Sequence, residues 1–67
     1  MSDLATAARI ARLEADAHGY QAAAYEAEAE AFALRGSEHA TAYRGFAASS
    51  WSMHESAMKR VRELEQP

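Results

Sequence analysis

The chain has no cysteine, only three glycines among its 67 residues, and a single proline, Pro67, at its end. Without cysteine it forms no disulfides and offers no thiolate ligands to a metal. So little glycine and proline excludes a glycine-rich phosphate loop, a collagen-like chain and a turn-rich β-sandwich or barrel. No run of about 20 apolar residues is present, so we expect no membrane association.

Alanine is abundant instead, with 18 residues that make up more than half of the 49% apolar fraction. Because alanine is the strongest helix former, the composition predicts an all-α protein. Few large side chains are available to fill a core, and a chain of this size rarely gains more than about 3–5 kcal/mol from one core. We therefore expect a second chain to contribute to stability.

The sequence predicts one helical-hairpin domain over residues 1–67, with a helix at 3–34, a turn at 35–37 and a helix at 38–65. Gly36 can adopt the positive φ that ends a helix, and Ser37 can cap the next one. Because the turn is short, the helices must fold back antiparallel, with residue i level with about residue 71 − i.

Each predicted helix carries an apolar arc that is wider than the stripe one helix–helix contact covers. We place Phe46 at the centre of the intramolecular seam and expect the remaining strip to be buried against a second copy. Two hairpins would then form a four-helix bundle, a homodimer with coiled-coil-like packing. The predicted interface residues are Leu4, Ala11, Ala15, Ala22, Tyr25, Phe32, Tyr43, Phe46, Trp51 and Met58.

Three polar residues near the middle of the hairpin suggest an alternative function. Glu14 and His18 lie four residues apart, and the pairing rule brings His54 level with His18. Glu and His are common metal ligands in helical bundles, so a metal-binding bundle is one hypothesis. A hydrogen-bonded cluster that fixes the register is the favoured interpretation, and we expect no cofactor.

Charge gives the second alternative, nucleic-acid binding. Seven basic against ten acidic residues leave a net charge of −3, which gives no overall attraction to phosphates. The basic residues that would gather at the terminal end are Arg9, Arg12, Lys59, Arg60 and Arg62. Six acidic residues are expected at the same end, so the sequence disfavours nucleic acid as a partner.

No motif in the chain predicts catalysis, because the serines around Trp51 have no adjacent base to activate them. We therefore expect a non-enzymatic helical interaction or regulatory protein that associates with itself and presents a helical surface to a protein partner. The first residues lack a secretory signal pattern, which favours a cytoplasmic protein. The bias towards alanine, arginine and glutamate is typical of a small bacterial or phage protein.

Overall fold

The structure, a computed structural model, describes residues 2–66 and consists of two long helices. Helix α1 spans Ser2–Leu34 and helix α2 spans His39–Glu65, and they pack antiparallel along a rod about 53 Å long. No strand occurs within residues 2–66. The predicted all-α hairpin is confirmed, while Met1 and Pro67 of the predicted domain lie outside the described residues.

The turn between the helices is closed by backbone hydrogen bonds around one glycine. Gly36 has φ of 72° and donates its N–H to the carbonyl of Ala33 at 3.0 Å. Ser37 donates its N–H to the carbonyl of Phe32 at 2.9 Å, which completes a Schellman motif. The Ser37 Oγ accepts the N–H of His39 at 3.2 Å, so the predicted cap is formed, although α2 is assigned from His39.

The seam between the helices is built from small side chains. Ala15, Ala22 and Ala29 recur one heptad apart on α1, as do Ala40 and Ala47 on α2, and all are buried. The other buried residues are Ala11, Ser50 and Val61. Because the spacing of two helix axes depends on the side chains between them, an alanine seam lets the backbones approach closely.

This alanine seam corrects two sequence-based assignments. Phe46 was placed at the centre of the seam, but its side chain is 48% exposed. Ala11, Ala15 and Ala22 were assigned to an intermolecular strip, but they are buried within the hairpin and cannot meet a second chain while it stays closed. A large ring at the seam would hold the helices apart, whereas alanine allows contact along their whole length.

The predicted register is confirmed by contacts across the hairpin. The Ser50 hydroxyl donates to Gln21 Oε1 at 3.1 Å, and the rings of Tyr25 and Phe46 lie 5.5 Å apart. In both pairs the residue numbers match the pairing expected from a turn at Gly36. The two helices are therefore aligned as the turn chemistry dictates.

Candidate interaction surface

An aromatic cluster occupies the half of the hairpin next to the turn. Tyr25 and Phe32 from α1 meet Tyr43, Phe46 and His39 from α2, with ring centroids 4.9 to 6.0 Å apart. Most of these contacts are tilted or edge-on, the arrangement aromatic rings prefer. Tyr25, Phe32 and Tyr43 are half-buried, so these predicted interface residues pack mainly within the chain.

Trp51 lies beyond the cluster and is held against α1 by its polar edge. Its Nε1 donates a hydrogen bond to Glu26 Oε2 at 3.0 Å, and its ring lies edge-on to His54 at 5.4 Å. The His54 Nδ1 donates to the carbonyl of Ala15 at 2.7 Å. A Cβ on Gly19 would lie only 3.3 Å from this Nδ1, so the glycine makes room for the imidazole.

The three candidate metal ligands are not gathered into one site. Glu14 is exposed, His18 is half-buried, and His54 binds the backbone of Ala15 rather than Glu14. Within residues 2–66, no three His, Asp or Glu side chains lie close enough to hold a metal ion. The hydrogen bond from His54 does link the two helices, and in that respect it helps to fix their register.

The basic residues are exposed at the terminal end of the hairpin, as the sequence led us to expect. Arg12 forms an ion pair with Glu65, whose hydrogen bond and negative charge raise the pKa of Arg12 above its usual value. Beside this pair is an open groove of about 560 Å³, lined mainly by the apolar side chains Leu4, Ala8 and Leu64. One of the five candidate phosphate-binding cations is thus engaged by an acidic neighbour.

A second apolar stripe runs along the solvent side of α1, and we call it the outer strip. Its members alternate at three- and four-residue spacings, the a and d positions of a heptad: Ile10, Leu13, Ala17, Tyr20, Ala24, Ala27, Ala31 and Leu34. Tyr20 is 77% exposed and Leu34 is 83% exposed, while Ile10 and Leu13 are about half exposed, at 52% and 49%. Ala31 is half-buried, and every other member of the strip is exposed.

The outer strip was not predicted as a separate surface. Ile10 and Leu13 were read as part of one wide apolar arc, although they follow a heptad two residues out of step with Ala8, Ala11 and Ala15. Two residues correspond to about 200° of helix rotation, so the two heptads lie on opposite sides of α1. Counting both heptads would have separated the buried seam from the exposed strip.

The remaining predicted interface residues lie at the edges of the hairpin. Leu4 and Trp51 are exposed, and Met58 is half-buried. Phe46 and Met53 are one heptad apart and lie on one flank of α2, and Met53 is 54% exposed. Both helices therefore present apolar side chains to solvent.

No helix in the described part of the chain has the length and apolarity needed to cross a membrane. Comparison with known protein families, with characterised proteins and with solved structures finds no match. The geometry and chemistry of the hairpin surface are therefore the basis for a functional conclusion.

Proposed function

We propose that this chain is a non-catalytic interaction protein that associates with a second copy of itself and offers a helical surface to a protein partner. Two hairpins joined through an outer face of α1 would form a four-helix assembly in which the helices lie in a row, rather than around the shared core of the four-helix bundle predicted from the sequence. The observation that carries the proposal is the outer strip of α1. It is apolar at every a and d position from Ile10 to Leu34, and all of its members except the half-buried Ala31 are exposed to solvent.

The outer strip extends over most of α1. Monomeric soluble proteins rarely expose large contiguous apolar patches, and such patches commonly mark sites of protein association. Isolated exposed apolar residues would need no such explanation, but these recur with the period of a coiled-coil seam. Burying the strip against another helix would remove it from water and supplement the small alanine core.

The flank of α2 supports a role in binding a different protein. Phe46 belongs to the aromatic cluster, Met53 lies one heptad after it on the same helix, and each is about half exposed. Aromatic residues and methionine are enriched at the centres of protein interfaces. A chain that pairs through α1 would keep this flank available for a partner.

Sedimentation equilibrium at micromolar concentration tests self-association. We expect a mass of about 15 kDa, twice the 7.3 kDa of one chain, or a higher multiple. Leu13→Lys introduces a charge into the outer strip and should shift the population towards monomer. Ala48→Lys is a matched control, because Ala48 is exposed on α2 away from both apolar flanks.

A folded 7.3 kDa species for the unmodified chain at these concentrations contradicts the proposal. Circular dichroism of each variant establishes that helical structure is retained, so that a loss of mass reports association rather than unfolding. If Leu13→Lys and Ala48→Lys have equal masses by sedimentation, the outer strip is not the association surface.

A further inference from the structure

We propose that the two copies pair in parallel and in register through the outer strip, so that the two α1 helices lie side by side at the centre of the assembly. This inference rests on the proposed self-association and assigns its surface and orientation. It is carried by the charged residues that flank the outer strip, which complement each other in one orientation and repel in the other.

The heptad of the outer strip identifies which charged residues lie beside it. With Ile10 at position a and Leu13 at position d, the flanking e and g positions hold most of the charged side chains beside the strip. The g positions are Arg9, Asp16, Ala23 and Glu30, and the e positions are Glu14, Gln21, Glu28 and Arg35. All eight residues are exposed. Gln21 accepts a hydrogen bond from Ser50 of its own chain, and Arg35, the first residue after α1, has its guanidinium over the Phe32 ring at 5.7 Å.

In a parallel pair, each g residue lies beside the following e residue of the other helix. Arg9 then meets Glu14 of the second copy near one end of the strip, and Glu30 meets Arg35 of the second copy near the other end. Two-fold symmetry doubles each pair. The g and e residues between these ends, Asp16 with Gln21 and Ala23 with Glu28, bring no like charges together.

In an antiparallel pair, e residues meet e residues and g residues meet g residues. Full overlap of the strip then places Glu14 near Glu28 of the second copy, and Asp16 near Glu30 of the second copy. Both contacts bring carboxylates together, and symmetry doubles them. Electrostatic complementarity therefore selects the parallel arrangement.

The apolar residues agree with parallel pairing. In register, each strip residue meets its own equivalent, so Ile10 packs at an a layer and Leu13 at the next d layer. A β-branched residue at a with leucine at d is the combination that favours two parallel strands. Because the outer strip faces away from α2, each α1 is placed between its own α2 and the second α1.

Cysteine cross-linking tests the orientation directly, because the native chain has no cysteine. In the parallel pair, residue 31 faces residue 31, so Ala31→Cys should form a disulfide-linked dimer in a glutathione redox buffer. In the antiparallel pair it faces residue 13, about 27 Å of helix away from its own equivalent. Ala48→Cys measures the background of random collision.

A mixture of Ala31→Cys and Leu13→Cys chains tests the antiparallel alternative, in which residue 31 faces residue 13 of the second copy. The parallel arrangement predicts disulfide-linked homodimers of Ala31→Cys and of Leu13→Cys, and no mixed disulfide above the Ala48→Cys background, as resolved by mass spectrometry. A dimer by sedimentation whose cross-links are mainly mixed would overturn parallel pairing but leave self-association intact. A monomer by sedimentation would overturn both.

A charge exchange gives an independent test. Glu30→Lys places a lysine beside Arg35 of the second copy in the parallel pair and should raise the dimer dissociation constant about 3- to 10-fold at low salt. Adding Arg35→Glu to the same chain should restore it. In the antiparallel pair, Glu30→Lys alone would face Asp16 and lower the dissociation constant, which is the outcome that contradicts the inference.

Discussion

The two halves of the hairpin are held together by different means. The turn half, residues 21–50, combines buried alanines with a cluster of large rings that includes Tyr25, Phe32 and Tyr43. The terminal half, residues 2–20 and 51–66, has no comparable cluster, and Val61 is the largest fully buried side chain among the described residues. Ring contacts are thus added to the buried alanines near the turn, whereas the seam of the terminal half is made of Ala11, Ala15 and Val61 alone.

The two kinds of contact should respond differently to substitution. Rings that are half-buried can be truncated at moderate cost because part of each ring already faces water. Fully buried alanines have no space for a larger side chain, since the helices on either side are already close. We therefore expect both halves to be sensitive to enlargement of a buried alanine, and the turn half to be sensitive to loss of a ring as well.

The largest expected effect is from enlarging Ala15, which is 0% exposed in the terminal half. Ala15→Leu should lower the free energy of unfolding by about 2–3 kcal/mol, because the added atoms must separate the helices. It should also disturb the hydrogen bond between His54 and the Ala15 carbonyl. Urea denaturation at one fixed protein concentration measures the change.

Ala48→Leu is the control, because Ala48 is exposed and its replacement should change stability by no more than about 0.5 kcal/mol. Equal urea midpoints for Ala15→Leu and the native chain would show that the seam is not closely packed in the terminal half.

The second effect compares two rings of the turn half. Phe32 contacts Tyr43 at 4.9 Å and His39 at 5.5 Å and is half-buried, so Phe32→Ala should cost about 2 kcal/mol. Phe46→Ala should cost only about 1 kcal/mol, because half of that side chain is already in water. Thermal melts followed by circular dichroism rank the two. A larger loss of stability for Phe46→Ala than for Phe32→Ala would show that Phe46 lies in the central seam.

The third prediction compares replacement of a glycine in the turn with replacement of a glycine inside α2. Gly36 has φ of 72°, a conformation that costs an L-residue about 1–2 kcal/mol, so Gly36→Ala should destabilise the hairpin by about 1 kcal/mol. Gly45 lies inside α2 with open space around its Cβ position, and Gly45→Ala should stabilise it by about 0.5–1 kcal/mol. Melting temperatures that move in the same direction would contradict the closure of the turn by a left-handed glycine.

The smallest expected effect concerns the ion pair at the end of the terminal half. Arg12→Gln removes the contact with Glu65, and because both side chains are exposed the melting temperature should fall only slightly. At about 1 M salt the difference from the native chain should vanish through screening. Arg62→Gln, elsewhere on α2, is the control. A large loss that persists in high salt would mean that the ion pair anchors the terminal half.

Much of the fold can be predicted from the sequence because it depends on local signals. Gly36 and Ser37 placed the turn correctly, and the short turn then determined which residues of the two helices lie level. The candidate surface was only partly predicted. The excess of apolar surface was recognised, but Ala11, Ala15 and Ala22 were assigned to an intermolecular strip although they are buried within the hairpin. Phe46 was placed at the centre of the seam, but it is half exposed and packs against Tyr25 and Tyr43.

Local signals in the chain specify that two alanine-rich helices form and where the chain reverses, since helix propensity and glycine conformation act over a few residues. Which side of each helix faces inward depends instead on packing between the two helices. An apolar arc that extends around most of α1 is compatible with several rotations of the helix about its axis. Close packing selected the rotation that buries alanine on alanine, and it left the heptad from Ile10 to Leu34 on the outside.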